Sequence, residues 1–443
     1  MKKETKLLTI TTVGFALFSM FFGAGNLVVP PYIGLQVGSQ WVYALLGFLL
    51  TTVITSFLAV IMIARVGTSF ADLRQFMPKW VVDTLNLLII ISIGPLICIP
   101  RTGALTYEVA VAPILPQVPL WVFELFYFVL VLVLSISKSK IVDIIGRWLT
   151  PLLLLCLAIL IVKGVLNAEA IDQQSAVSAG DAFRLGFKEG YQTLDVLAAI
   201  PFAGLIIVAL TMKGYTTDRQ RIEMSLKSGL VAAVSLMLIY TGLMYLGVTT
   251  DYAGGGEVER SQLLKYISDA ILGSWGSLVM ASAIGVACLT SAIALASGMG
   301  EILEQTTKGK MSYKLGVVAC CVVSFVLSLN KVDTIIAYAG SILLFIYPIV
   351  FTIILYVLLF SKYVKSKLPY VMAVLTTAVV VTWTAIYNQW DVFQGIYWMT
   401  AVKSAMPLMD YLLEWLVPSF LAFVFFAFTE KYWVKWFSKS NRE

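Results

Sequence analysis

Gly23-Ala-Gly-Asn26, followed by Pro30-Pro31, stands in the middle of an apolar run from Leu7 to Ile33. A run of that length would ordinarily cross a bilayer as one unbroken helix. This one instead carries two glycines, an amide side chain and two prolines, residues that weaken or interrupt a helix interior. The pattern predicts that the backbone opens at mid-membrane. Exposed N–H and C=O groups at that depth are tolerated only inside protein or along a water-filled cavity. A competing reading takes the glycines as packing positions and the prolines as helix ends, since both residues are common in membrane helices.

Composition settles the solvent. With 60% apolar and 13% charged residues and a mean hydropathy of +0.90, the 443 residues describe a chain made mostly of membrane spans. The run after the N-terminal Met-Lys-Lys-Glu-Thr-Lys is too long for a signal peptide and has no small-residue cleavage pattern, so it reads as the first helix. Twelve apolar windows of about 20 residues, the length a crossing needs, follow one another from near Phe21 to near Phe420.

The basic residues concentrate in alternate loops and in both tails. Lys2, Lys3 and Lys6, then Arg65, Arg74 and Lys79, then the Lys213 to Lys227 group lie on one side. By the positive-inside rule that side is cytoplasmic and holds both termini. The net charge of +6 follows from this bias. It implies contacts with anionic lipids and requires no nucleic-acid partner, and nothing in the chain implies an oligomer.

The five cysteines all lie within apolar spans and suggest neither a disulfide framework nor a zinc site. There is no histidine, which removes the commonest proton-relay group. An intramembrane enzyme would need a nucleophile with a base, or a metal site; the remaining candidates are isolated acids such as Glu108, Asp195 and Asp333. A channel would repeat acid rings or carbonyl-lined filters around an axis, and this chain repeats none. The chain reads as no enzyme and as needing no cofactor.

A carrier built from an inverted repeat needs a second broken helix at the matching place in its second half. Five helices on comes Gly186-Phe-Lys-Glu-Gly-Tyr-Gln-Thr-Leu-Asp195, then an apolar segment with Pro201 and Gly204. Alone, this stretch also reads as the polar entrance to an ordinary helix. Paired with the first break, it predicts an all-α membrane protein of twelve transmembrane helices in one polytopic domain. Repeat one would run over about residues 7–166 and repeat two over about 183–360, with two appended helices over about 369–430. Helices 1 and 6 would be the discontinuous ones.

Two other spans carry polar groups. The eighth contains Ala287-Cys-Leu-Thr290-Ser291, where two hydroxyls and a carbonyl one turn earlier offer oxygen ligands of the kind a hard alkali cation prefers. Back-bonding of Thr290 and Ser291 to their own helix is the plainer alternative. The third contains Arg101-Thr-Gly103 and Tyr107-Glu108. Regular helical spacing would put Arg101 and Glu108 on one face, about 10 Å apart along the axis. Groups so costly at that depth face a bundle interior or cavity. A structural role and a gating or coupling role both stand open for this pair.

Phe18-Ser-Met-Phe-Phe-Gly-Ala-Gly-Asn26 with Pro30-Pro31, Pro100-Arg-Thr-Gly103 with Tyr107-Glu108, and the Gly186 to Asp195 block together resemble the bacterial branched-chain amino acid:cation symporter family. That family is similar to members of the amino acid–polyamine–organocation superfamily, which have a leucine-transporter-like fold. The resemblance implies uptake of leucine, isoleucine and valine coupled to Na+, with H+ or Li+ in some relatives. It implies that Gly23, Ala24, Gly25 and Asn26 hold the substrate carboxylate through their amides, and that Tyr191, Gln192 and Thr193 take the ammonium and shape the side-chain pocket. It also implies a cation site built from carbonyls of Ser19, Phe22 and Ala287 with the hydroxyls of Thr290 and Ser291. Arg101, Tyr107, Glu108 and Asp195 are the coupling or gating candidates. An ion channel or a non-transporting sensor on the same scaffold, or a proton-coupled carrier of another small neutral amino acid, is the runner-up.

Overall fold

The computed structural model describes residues 5–137, 141–167, 177–191, 193–252, 260–389 and 397–440, and every regular element among them is helical. The call on Gln192 lies outside the described residues. Among the described residues, seven helices are long and apolar enough to cross a membrane, and five further apolar helices are shorter.

The first apolar run is two half-helices, α1 (Lys6–Phe21) and α2 (Ala24–Val37). The Thr5 hydroxyl caps α1 by accepting from the Leu8 N–H. The backbone then opens at Phe22 (φ −75°, ψ 80°) and Gly23 (φ −99°, ψ −170°). This is earlier and shorter than the Gly23 to Asn26 opening expected from sequence. A helix can restart at Ala24 because its first four N–H groups need no partner within the helix. Both prolines lie inside α2, where each deletes one hydrogen bond, to the carbonyls of Asn26 and Leu27, without ending the helix.

Next come α3 (Trp41–Leu49) and α4 (Thr55–Val66), continuous through a π-helical stretch at Leu50–Ile54. The third apolar run is α5 (Lys79–Ile91) and α6 (Ile99–Leu105). A π-helical stretch containing Pro95 precedes α6, and another, Thr106–Val111, follows it. Then follow α7 (Leu120–Ser135), the short α8 (Ile141–Ile144) and α9 (Thr150–Leu166).

The second break separates α10 (Ala179–Tyr191) from α11 (Asp195–Met212). Ser178 starts α10: its hydroxyl accepts from Asp181 N–H at 3.1 Å and donates to the Asp181 carboxylate at 2.7 Å. That hydroxyl, with the Arg184 guanidinium, holds the exposed Asp181 carboxyl below the usual carboxylate range. After α11 the unit continues with α12 (Asp218–Val248), α13 (Arg260–Leu272), α14 (Gly276–Thr306) and α15 (Tyr313–Ser328).

The chain divides into two compact units, one running up to Ser69 together with Ile89–Ala339, the other Phe70–Leu88 with Gly340 onward. The second contains most of α16 (Val332–Phe360), and α17 (Leu368–Gln389), α18 (Tyr397–Ala405) and α19 (Leu416–Ser440). Its core is a fully buried Trp415 against Val380 and Val381, with the Phe351 ring edge-on at 5.7 Å.

In lipid there is no hydrophobic drive between helices, so small residues that permit close backbone approach take over. Four glycines in the first unit show this. A Cβ on Gly186 would stand 1.9 Å from Ala44 O, and one on Gly47 2.2 Å from Phe183 O, so α10 lies directly on α3. A Cβ on Gly34 would stand 2.1 Å from Met244 O, and one on Gly247 2.0 Å from Pro31 O, so α2 lies directly on α12. Both half-helices that flank the breaks on this side are thus held backbone to backbone.

Candidate functional site

The two breaks meet. Asn26, in the first turn of α2, donates from Nδ2 to Asp195 Oδ2 at 2.7 Å and, from the same nitrogen, to the hydroxyl of Tyr240 on α12. Asp195 is the first residue of α11, and all three side chains are buried. The Asn26 side chain therefore ties the start of one half-helix to the start of the other, which leaves its backbone N–H, with those of its neighbours, as the group available at the α2 terminus. Tyr240 carries no mark in the sequence, being one of 20 tyrosines in an apolar helix. Its ring packs between Phe22, stacked at 5.9 Å, and Phe48, edge-on at 5.1 Å.

At the C-terminal end of α1 the carbonyls freed by the break are met by α14. Thr290 Oγ1 donates to Ser19 O at 3.0 Å, with Ala287 O also within 2.9 Å, and Ser291 Oγ donates to Met20 O at 3.0 Å. The structure thus brings Ser19, Ala287, Thr290 and Ser291 together. Neither hydroxyl is bonded to Phe22 O; the next freed carbonyl toward the helix start, Met20 O, takes that place. Gly23 is what lets Ser291 in, since a Cβ there would stand 3.1 Å from Ser291 Oγ. Ser19 Oγ is buried without a hydrogen-bond partner.

The second break is closed by its own chain. Thr193 Oγ1 donates to Gly190 O at 2.8 Å, and Leu194 takes a left-handed conformation (φ 65°) before α11 begins. Tyr191 is buried at the end of α10, its ring 5.5 Å from that of Phe187.

Arg101 reaches the first break. A Cβ on Gly25 would stand 3.1 Å from its Nη2 and 3.6 Å from its Cζ, so the guanidinium lies on the bare first turn of α2. Glu108 falls in the π-helical stretch after α6 and is exposed. The seven-residue stacking with Arg101 presumed regular α geometry, and the wider π turn changes that register. Tyr107 turns the other way, donating to Val118 O at 2.9 Å.

On one side of the breaks, Arg260 at the start of α13 pairs with Glu189 of α10 at 2.9 Å and lies over the Tyr32 ring of α2 at 4.6 Å. On the other side, a cavity of about 860 Å³ opens among the ends of α11, α14 and α15, lined by Thr211, Arg221, Glu301, Glu304 and Tyr313 among others.

Two interrupted helices joined at their breaks, with a third helix supplying hydroxyls to the freed carbonyls, define a secondary transporter with discontinuous helices. The overall fold agrees. It matches the crystal structure of MhsT in complex with L-phenylalanine (TM-score 0.54, 15% identity, covering 94% of this chain and 97% of that one). It also matches a Na+-coupled sialic acid symporter in a substrate-bound outward-open state (TM-score 0.61, 9% identity, covering 94% and 89%). At such identities the likeness shows the fold alone.

The chain belongs to the branched-chain amino acid transport protein family, whose model it matches over residues 6–432. It is 34% identical to the branched-chain amino acid permease BraB of Bacillus subtilis over 359 residues, 80% of each chain. It is 31% identical to a protein of Staphylococcus aureus named as a branched-chain amino acid carrier, over 93% of this chain and 94% of that one. Its relatives and its fold are those of transporters rather than enzymes.

Proposed function

We propose that this protein imports leucine, isoleucine and valine by symport with a cation, Na+ foremost, through alternating access across the cytoplasmic membrane. The observation that carries this reading is the meeting of the two breaks through Asn26 and Asp195, with the hydroxyls of Thr290 and Ser291 on the carbonyls that the first break frees.

The substrate carboxylate is assigned to the amides at the start of α2, from Gly23 to Asn26. A helix N-terminus carries partial positive charge and free donors, and the Arg101 guanidinium beside Gly25 adds a full charge. The ammonium is assigned to the second break, at Tyr191 and Thr193. The apolar side chain then lies toward the rings that surround the first break, Phe22 and Tyr240 among them.

Sodium is assigned to the carbonyls of Ser19, Met20 and Ala287 with the hydroxyls of Thr290 and Ser291. Those hydroxyls now donate to the carbonyls; with an ion present they would turn their protons outward and present lone pairs, which gives an all-oxygen shell suited to a hard cation. Because α1 and α14 each supply ligands, the ion ties a moving bundle (α1 to α4 with α10 to α12) to a scaffold that includes α14. Ion and amino acid then raise one another's affinity reciprocally. The Arg260–Glu189 pair closes the outer path and the cavity near Glu301 forms the inner one. The whole is read as twelve crossings in two inverted repeats plus two appended helices, with both termini cytoplasmic.

Leucine uptake into proteoliposomes, with radiolabelled sodium counted in parallel, tests this reading. Leucine-dependent sodium entry, blocked by valine and isoleucine but not by lysine or glutamate, is the expected result. Leucine uptake indifferent to sodium overturns the ion; competition by lysine as strong as by valine overturns the substrate.

A further inference from the structure

Glu124 of α7 is fully buried, and neither of its carboxyl oxygens has a hydrogen-bond partner. The carboxyl lies on Gly103 of α6: a Cβ there would stand 2.2 Å from Oε2 and 3.2 Å from Oε1. A side chain at position 103 would displace the carboxyl from this place. This accounts for the second half of the Arg101-Thr-Gly103 motif, which the substrate and sodium assignments do not use.

The hydroxyls near Glu124 and Tyr127 are turned to helix carbonyls, with Ser328 within hydrogen-bonding reach of the Glu124 carboxyl and Thr102 and Thr106 near Tyr127. Ser328 of α15 donates to Phe325 O at 2.9 Å. On the α6 side, Thr102 donates to Ile99 O at 2.6 Å and Thr106 to Thr102 O at 2.7 Å. Tyr127, one turn along α7, holds its hydroxyl buried and without a partner, within electrostatic reach of Glu124 and of Cys288 on α14. Glu108, beyond α6, brings a second carboxyl within reach. Among the described residues no lysine or arginine is paired with Glu124.

A lone carboxylate is among the costliest groups a bilayer interior can hold. The missing partner here is a positive charge, because the surrounding hydroxyls present lone pairs and a second acid stands close by. We infer that the Glu124 carboxyl, with Tyr127 Oη and Ser328 Oγ, is a binding site for one monovalent cation, a proton or an alkali ion, that enters with the amino acid. It is separate from the α1–α14 site. The connection between the two is α14: Cys288, which faces Tyr127, sits between Ala287 and Thr290. The inference rests on the coupled-transport reading above.

The test counts cations per leucine in proteoliposomes of the full-length protein, sodium by radiolabel and protons by an entrapped pH dye, for wild type and Glu124→Gln. Glutamine keeps the shape against Gly103 but carries no charge for a cation to neutralise. The expected result is one cation fewer per leucine in the variant. A lower sodium ratio identifies an alkali ion. Loss of leucine-coupled acidification at an unchanged sodium ratio identifies a proton. Unchanged ratios for both ions overturn the site. Tyr127→Phe guards against a misfolded Gln variant: it removes one ligand oxygen and should raise the half-saturating concentration of the same cation several-fold, and unchanged half-saturation for both sodium and protons overturns the site equally. If wild-type leucine uptake is coupled to no ion at all, the transport reading fails first; a coupled wild type with unaltered variants removes only Glu124.

Discussion

At the first break the carbonyls of Ser19 and Met20 are met by hydroxyls from another helix, α14, whereas at the second the Gly190 carbonyl is met by Thr193 three residues on. The first break opens at a glycine in extended conformation; the second turns on Leu194, a side chain buried to 2% exposure and held left-handed. That conformation costs a non-glycine residue roughly 1–2 kcal/mol and is kept by the packing around it. For the proposed cation coupling, the contrast favours the first break as its seat. Carbonyls satisfied from a separate helix can exchange a hydroxyl proton for an ion, and the exchange is felt by two bodies. Carbonyls satisfied locally hold a shape. On the proposed function, the first break is the exchangeable one and the second the fixed one.

The largest expected effect comes from removing the backbone packing that seats α10 beside the second break. Gly186→Ala drives a methyl group against Ala44 O, backbone on backbone, and overpacking of that kind costs about 1–3 kcal/mol or more. Thermal unfolding in detergent should show a marked loss of stability, with little folded protein recovered. Next is Asn26→Ala, which leaves Asp195 buried without its donor. A buried acceptor left unsatisfied costs about 1–3 kcal/mol, more when charged, so leucine uptake should fall by at least tenfold while Tyr240→Phe loses far less. An Asn26→Ala protein that transports normally would separate the two breaks functionally and sink the idea of a joint site.

A smaller effect, confined to the ion, is expected at the first break alone. Thr290→Ala with Ser291→Ala removes two oxygen ligands worth about 1 kcal/mol each. The sodium concentration for half-maximal leucine uptake should rise by roughly tenfold or more, and leucine affinity at fixed low sodium should fall with it. Superimposable sodium titrations would refute the site. The smallest effect is expected from Thr193→Val, which removes one local hydrogen bond worth about 0.5–1.5 kcal/mol. Stability should drop slightly and sodium dependence stay put; a sodium shift as large as that of the hydroxyl pair would erase the distinction between the breaks.

Much of this was legible in the chain, for reasons particular to each residue. Gly23 and the glycines around Gly186 are visible because each group stands beside an amide, a hydroxyl or an acid in an otherwise apolar run. Their duties nevertheless divide: Gly23 admits Ser291 at the break, while Gly186 packs on α3 and takes no part in it. The prolines misled on where the opening ends, because a membrane helix can lose two hydrogen bonds and continue. Tyr240 was invisible because an aromatic residue in an apolar helix looks like core until its hydroxyl finds Asn26. Glu124 was missed although its signal was there: it is an acid within the apolar run Leu120–Ser135, Leu-Trp-Val-Phe-Glu-Leu-Phe-Tyr. The π-helical stretch that holds Glu108 was not legible, because a π turn cannot be read from periodicity.

The glycine contacts of α2 on α12 and of α10 on α3 have a mechanical consequence. Where two helices touch through side chains, a push on one is partly absorbed by rotamer changes before the other moves. Where carbonyl meets α-carbon, as at Gly34, Gly47, Gly186 and Gly247, there is no such slack. A displacement at the outer end of α10 is passed to α3 through backbone contact. The two half-helices and their partners are geared rather than cushioned, so a small ion or amino acid at the breaks can turn a lever much larger than itself.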